Sequence, residues 1–199
     1  MKFNIKLRLL LALLLLVLLS DCSKDDTSRP APAKITYLDS AEYIVLSVVI
    51  DSIFPIQNNR MYLIIDSAVL DLSGISESRL NKLLEYVIKG IPSLQEQTIT
   101  NFKFKAWIPT CIEPKFMLHV HYELVKCKYF CDWNYQAINY PNANGFTEVS
   151  RVGFNSDSTQ ALVYVGNNAA PAAGVGGYFV LCYQYGKWKI IDYTISWVS

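Results

Sequence analysis

The C-terminal stretch YFVLCYQYGKWKIIDYTISWV, residues 178–198, decides the fold. Its two runs, 178–185 and 188–198, are rich in aromatic and β-branched residues and are separated by Gly186-Lys187, which predicts a β-hairpin. Successive residues of a strand point to opposite faces, so alternation predicts a core face made of Ile191, Tyr193, Ile195 and Trp197. The opposite, wet face is then made of Asp192, Thr194 and Ser196.

Two further strands are predicted upstream of this hairpin, over residues 146–154 and 160–165. Polar residues 155–158 are predicted to form the turn between them, and the Ala- and Gly-rich residues 167–177 a loop that leads into the hairpin. Four successive strands with such connections predict an antiparallel sheet that has one face in water and helices on the other.

The N-terminal half carries the helical signals. Asp39-Ser40 precedes an apolar run that stops at Pro55, and Glu42 lies in its first turn, which together predict a helix. The remaining signals predict a strand over 61–72, a helix capped by Ser76 and closed by Gly90, a short helix behind a capping box at 93–96, and a strand over 115–126. The fold class is therefore α+β, with N-terminal helices packed on a C-terminal antiparallel sheet.

Several segments of the sheet region carry a resemblance. The segments are SRVGFN at 150–155, ALVYV at 161–165, GKWKI at 186–190 and WVS at 197–199. Together they resemble the end of a group of bacterial proteins of uncharacterised activity. The GKWKI hairpin is also similar to the last strands of cone-shaped NTF2-like domains. Both resemblances imply a fold and neither implies an activity.

The N-terminus reads as an export signal. Lys2, Lys6 and Arg8 precede an unbroken apolar run from Leu9 to Leu19. Eleven helical residues span about 16 Å, which is short against the roughly 30 Å of bilayer hydrocarbon. A basic head followed by an apolar stretch of this length predicts a signal peptide over residues 1–21. The alternative is an uncleaved N-terminal anchor.

The residues after the run resemble the lipobox of bacterial lipoproteins. Leu19, Ser20 and Cys22 match the aliphatic residue, the small residue and the lipidated cysteine, whereas Asp21 replaces the usual small neutral residue. The following CSKDD, residues 22–26, is similar to the start of mature lipoproteins from the Bacteroidota. The resemblance implies fatty acylation of Cys22, a place in the bacterial cell envelope, on the outer membrane, and display on its periplasmic face or on the cell surface.

Composition sets the domain plan and excludes one class of partner. Residues 22–34 are polar and proline-containing, which predicts a lipidated tether, and residues 35–199 suit a single α+β domain. Removing residues 1–21 leaves 15 Lys and Arg against 16 Asp and Glu. Such a balance argues against nucleic acid as a partner. With 13 Tyr, 9 Phe and 4 Trp, the chain is rich in side chains that build binding surfaces.

One cluster has the residue types of a metal site. His119 and His121 lie two apart on a predicted strand and share a face, and Cys127 and Cys131 follow. Two His and two Cys form a good tetrahedral zinc set, although their order is not that of a zinc finger. The alternative is a disulfide between Cys127 and Cys131, which requires a turn between them. With Cys111 and Cys182, three complete pairings of the four cysteines are open.

No motif in the sequence predicts catalysis. Neither a Gly-x-Ser-x-Gly elbow nor a His-Glu-x-x-His motif is present, and no cofactor is expected. The sequence favours a non-enzymatic binding or interaction lipoprotein that uses an aromatic-lined cleft or sheet face to hold an envelope protein or a glycan. The alternatives are an envelope hydrolase that acts on surface polymers, and a metal-binding protein that uses His119 and His121.

Overall fold

The computed structural model describes residues 36–53, 62–69, 76–126, 133–170 and 172–199. Residues from Ile35 to Ser199 form one compact unit of α+β class. The described helices are α1 (Ser40–Ile53), α2 (Glu77–Gly90), α3 (Glu96–Ala106) and α4 (Trp133–Asn139). The described strands are β1 (Thr36–Tyr37), β2 (Tyr62–Asp66), β3 (Thr110–Cys111), β4 (His121–Val125), β5 (Ala143–Val149), β6 (Gly153–Phe154), β7 (Gln160–Ala170), β8 (Ala173–Gln184) and β9 (Lys187–Val198).

The main sheet is mixed and has the strand order β4-β2-β5-β7-β8-β9, with β6 beside β7. Among β5, β7, β8 and β9, each strand is antiparallel to its neighbours, as the sequence predicts. Strand β2 is instead parallel to both of its neighbours, β4 and β5. Such parallel pairing is possible because long connections with helices bring the chain back to the same end of the sheet. The short strands β1 and β3 form a separate parallel pair.

Helices cover both faces of this sheet, so the prediction of one wet face is wrong. On one side, here called the α1 face, α1 packs through Leu46 and Ile50 on a core that includes Val163. On the opposite side, the α2–α3 face, Leu84 and Phe102 join a core with their sheet partners Leu162 and Val180. Alternate residues of β7 are therefore buried on both faces, which removes the polar alternation expected of a half-exposed strand.

The ends of the helices follow local hydrogen bonding. At the start of α1, Asp39 Oδ1 accepts from the Glu42 N–H at 2.9 Å and Glu42 Oε2 accepts from the Asp39 N–H at 3.1 Å, which is a capping box. Helix α2 begins as predicted, because Ser76 Oγ accepts from the Arg79 N–H at 3.3 Å. It ends at Gly90, also as predicted.

The predicted capping box at 93–96 is wrong. Helix α3 starts after Gln95, whose side chain makes no cap, and continues to Ala106, beyond the predicted end. The Gln160 side chain holds this segment instead. Its Oε1 accepts from the Gln95 N–H at 2.8 Å and its Nε2 donates to the Ser93 carbonyl at 2.9 Å. A tertiary contact from β7 therefore replaces the local cap.

Most of the Ala- and Gly-rich residues 167–177 are strand rather than loop. Residues 167–170 complete β7 and residues 173–177 begin β8, and the two strands pair as far as Ala170 and Ala173. The glycines are needed because the Trp197 ring lies on them: a Cβ at Gly174 would be 2.8 Å from Trp197 Cζ3. The predicted strand over 115–126 is shorter than expected, and only His121–Val125 adopts it.

Two irregularities in β9 overturn the predicted core face. Val180 pairs with Asp192 and Leu181 with Ile190, which leaves Ile191 as an extra residue. A second shift, next to the Gly176–Trp197 pair, makes Ser196 extra. Each bulge reverses the alternation that follows it, so Trp197 lies on the α2–α3 face, where its Nε1 donates to Tyr164 Oη at 2.7 Å.

The residues predicted to fill the core therefore take different places. Ile191, Tyr193 and Ile195 are 42%, 58% and 37% exposed. Tyr193 and Ile195 are on the α1 face, but α1 ends near Ile195 and leaves this margin of the sheet open. Thr194, predicted to be wet, instead contacts Gly90 at the end of α2.

Candidate functional site

The first candidate surface is the exposed margin of the last strand. We call it the β9 surface and define it by its outward-facing apolar residues Ile191, Tyr193, Ile195 and Val198. The Tyr193 ring stacks on Phe179, with centroids 5.9 Å apart and an angle of 18° between the planes. Ile195 borders a small hollow of about 50 Å³ lined by apolar side chains, glycines and Asn167. The β9 surface is thus supported by a core residue, Phe179, on which the Tyr193 ring packs.

Aromatic side chains continue this surface to the β8–β9 turn. Trp188 lies between Phe154 and Tyr183, with ring centroids 5.7 Å and 5.4 Å away. Tyr183 is 47% exposed, and Tyr185 in the turn is 95% exposed beneath the Lys189 ammonium group, 5.8 Å from the ring centroid. Contiguous exposed apolar area of this kind marks a contact surface, and aromatic rings supply much of the binding energy at such surfaces.

The second candidate is a groove that holds both histidines. His119 and His121 line an open depression of about 650 Å³ together with Pro114, Leu118, Val120, Tyr122 and Leu124. His121 is the first residue of β4, and His119 lies in the segment before it. The structure therefore places the two predicted metal ligands along one groove, although only one of them is on the strand.

Asp51, near the end of α1, orients His119. Its Oδ2 lies 2.6 Å from His119 Nδ1, and its Oδ1 accepts from the His119 N–H at 3.0 Å. The carboxylate fixes the ring so that Nε2 faces away from it, while the His119 side chain is 82% exposed. An imidazole held in this way is suited to general base catalysis or to metal binding through Nε2. A carboxylate in the last turn of a helix lies near the negative end of the helix dipole, which is unfavourable. This unfavourable position was the one available sequence signal for Asp51.

The structure describes some of the predicted metal ligands and cysteines. Among the described residues, no group of three His, Cys, Asp or Glu side chains is arranged to hold a metal ion. Cys127 and Cys131, the other two predicted ligands and the predicted disulfide, lie outside the described residues, as does Cys22. Cys111 and Cys182 are described, and both are free thiols.

A buried ion pair joins α1 to the segment after β5. The fully buried Glu42 carboxylate accepts from Arg151 Nε at 2.8 Å, from Arg151 Nη2 at 2.8 Å and from the Val152 N–H at 2.9 Å. Lys105 Nζ lies 3.4 Å away. Burial alone raises the pKa of Glu42, but the Arg151 hydrogen bonds, the Lys105 charge and the backbone N–H groups outweigh it and lower the pKa. With its acceptors occupied, this carboxylate stabilises the fold and is unavailable to a ligand.

Two acidic residues, Asp66 on β2 and Glu148 on β5, lie on neighbouring strands. Burial, and then the negative charge of Asp66, raise the pKa of Glu148. Burial also raises the pKa of Tyr164, despite the hydrogen bond from Trp197, and the Glu148 charge adds to the rise. Sequence analysis missed this pair because its members are far apart in the chain and meet only through β2–β5 pairing.

Comparison with known proteins yields no relative: no family model matches the chain, and no match is found among curated proteins or solved structures. Among the residues that the structure describes, none of the helices has the length and apolar character needed to span a membrane.

Proposed function

We propose that the chain is an exported lipoprotein of the bacterial cell envelope. In this proposal residues 1–21 are removed as a signal peptide, Cys22 carries the lipid, residues 22–34 form the tether, and residues 35–199 form the body held at the outer membrane. The basic head, the short leucine run and the Leu19-Ser20-Asp21-Cys22 sequence support it. Stable anchoring requires more than one acyl chain, which is what the lipoprotein resemblance implies for this cysteine.

The proposed role of the body is non-enzymatic binding of an envelope protein. The observation that carries this proposal is the exposure of the β9 surface, where apolar residues of the last strand face solvent. Aliphatic Ile191 and Ile195 beside Tyr193 favour a protein partner, because aliphatic side chains bury well against other apolar side chains. A glycan that stacks on the tyrosine rings is the alternative ligand.

A hydrolase acting on surface polymers is the second candidate function, and the Asp51–His119 pair favours it. A carboxylate that orients an imidazole is part of the usual machinery for activating a nucleophile or a water molecule. The groove beside His119 offers space for a polymer segment. A metal-binding role for His119 and His121 would use the same groove.

The narrower fold proposal is an arrangement of N-terminal helices on a C-terminal antiparallel sheet, related to cone-shaped NTF2-like domains. Helix α1 packed on β7 and β8 supports it. Under this proposal, two features are additions to the NTF2-like arrangement. They are helices α2 and α3 on the opposite face and the parallel strands β2 and β4.

Lipidation is tested by replacing Cys22. We expect Cys22→Ser to abolish incorporation of labelled fatty acid and to leave the protein as an uncleaved precursor, because the acyl chains attach to the cysteine sulfur. Asp21→Gly is the companion variant and should process at least as fast as the wild type, since it restores the usual small residue. Equal labelling of wild type and Cys22→Ser would overturn the proposal.

Partner binding is tested by a matched pair of tyrosines. Tyr193 on the β9 surface is 58% exposed, and Tyr37 in β1, which lies outside the main sheet, is 51% exposed. We expect Tyr193→Ala to reduce co-purification of an envelope protein with the anchored chain at least tenfold and Tyr37→Ala to leave it unchanged. Each should lower the free energy of unfolding by about 1 kcal/mol or less. Equal loss in both variants, or in neither, would contradict a role for the β9 surface.

A further inference from the structure

Strand β9 forms one edge of the main sheet and offers its outer side to another strand. It is 12 residues long, and β8 is its one hydrogen-bonding neighbour among the described strands. An edge of this length presents a row of backbone N–H and C=O groups that can pair with a further strand. The side chains of β9 that would lie beside an added strand restrict which strands can pair with this edge.

The bulge at Ile191 decides which self-pairing is allowed. Before it, Trp188 and Ile190 pack on the core of the α1 face, so Lys187 and Lys189 point to the α2–α3 face. After it, Tyr193 lies on the α1 face opposite Phe179, and Asp192 and Thr194 lie on the α2–α3 face opposite Val180 and Tyr178. Directly opposed residues of an antiparallel pair must share a face.

These faces restrict the registers that are possible between two copies of β9. With a two-fold axis between Ile190 and Ile191, Trp188 lies opposite Tyr193 on the α1 face, and Lys189 lies opposite Asp192 on the α2–α3 face. An axis on either isoleucine places residues of opposite faces against each other. An axis between Ile191 and Asp192 keeps the faces matched but sets Lys189 opposite the neutral Thr194, so the charges, and not the faces alone, select the first register. The bulge thus permits a pairing that an unbroken strand would forbid.

The charges in that register are complementary, and neither is part of a salt bridge within the described part of the chain. Neither Lys189 nor Asp192 forms a salt bridge with another described residue. Lys189 lies over the Tyr185 ring, and Asp192 Oδ1 accepts from the adjacent Tyr193 N–H at 2.9 Å. Because the pairing is symmetric, each dimer would contain the Lys189–Asp192 contact twice, and the Trp188–Tyr193 contact twice.

We propose that two copies of this chain associate through antiparallel β9–β9 pairing in this register, which joins their sheets across the shared edge. The partner of the edge is therefore a second copy of the chain. The inference does not rest on the proposed envelope partner, although Tyr193 belongs to both surfaces, because it concerns the backbone edge and the Lys189–Asp192 charges. Failure of one would leave the other intact: dimer formation is measured on the purified chain alone.

Charge reversal and charge exchange test the register. The full-length chain in detergent is analysed by sedimentation over a range of concentrations. We expect the wild type to approach the mass of two chains, and Lys189→Asp and Asp192→Lys each to weaken association by about tenfold or more, because each turns two attractive cross-strand contacts into two repulsive ones. The double variant, Lys189→Asp with Asp192→Lys, should recover association to within a few fold of wild type.

Lys187→Asp is the matched control. It makes the same charge change on the same face, but position 187 lies opposite the neutral Thr194 in this register, so association should be unaffected. Circular dichroism of each variant checks that the fold is retained, and Asp192→Asn, which keeps the Oδ1 acceptor, should weaken association only a few fold. A wild type that stays monomeric at all concentrations, a double variant that does not recover, or equal loss in Lys187→Asp would each overturn the proposal.

Discussion

Arg151→Met is expected to lower the free energy of unfolding by about 3–5 kcal/mol at neutral pH, because it leaves a buried carboxylate without its main partner. Glu42 is 0% exposed, and Arg151 supplies its two shortest side-chain hydrogen bonds. The remaining Lys105 Nζ, 3.4 Å away, is partly solvated and compensates only in part. Denaturant unfolding at pH 7 measures the loss, and a change of less than about 1 kcal/mol would contradict the assignment.

The double variant Glu42→Gln with Arg151→Met serves as the control. It removes the buried charge together with its partner, so it should be less destabilised than Arg151→Met alone. A loss equal to or larger than that of the single variant would mean that packing of the arginine, rather than the charge, makes the difference.

The pH dependence has a definite sign. The folded-state pKa of Glu42 is lowered from the ordinary value of 4.5, so its contribution to stability is complete above that value and is lost as pH falls through the lowered pKa. In Arg151→Met the pKa of Glu42 should instead rise. The stability difference between wild type and Arg151→Met should therefore shrink as the pH falls through the raised pKa of the variant, and it should level off below the lowered pKa of the wild type.

Trp197→Ala is expected to cost about 3 kcal/mol, the lower end for a large aromatic, because the ring is partly exposed. It removes the packing against Gly174 and leaves Tyr164 Oη without the donor at 2.7 Å. Trp197→Phe should cost less, since it keeps most of the ring and loses mainly one hydrogen bond, about 1 kcal/mol. Thermal and denaturant unfolding measure both.

The comparison between Trp197 and Tyr193 tests the bulge at Ser196. Simple alternation places both residues on one face and predicts similar costs, whereas the bulged strand places Trp197 against Tyr164 and Tyr193 at an open margin. Equal losses for Trp197→Ala and Tyr193→Ala would contradict the structure at this point.

Local signals predicted the elements they govern. The first helix was predictable because Asp39 and Glu42 cap it within four residues, and the last hairpin because Gly186 separates two apolar runs. The same Glu42 also binds Arg151, 109 positions away, and no local pattern announces such a pair. The parallel partners of β2 were missed for the same reason, since strand pairing across long connections leaves no periodicity in the sequence.

The candidate surfaces show where alternation alone fails. One extra residue at Ile191 and another at Ser196 redistribute the apolar residues of β9 between two faces, and neither position has a glycine to mark a bulge. The prediction for residues 167–177 was wrong for the opposite reason. Their glycines indicate a loop by composition, but the glycines lie within strands, because the Trp197 ring packs directly on backbone that carries no side chain.

The position of α1 has a consequence for how the chain reaches its native state. Its residues Val45, Leu46, Val49 and Ile50 are 0% exposed and share a core with β7 and β8, which are made much later. Because the chain is synthesised from its N-terminus, the apolar side of this helix stays exposed until β7 and β8 have been made. The core can therefore be completed only after the C-terminal strands have been made, and until then the apolar side chains of α1 are exposed to aggregation.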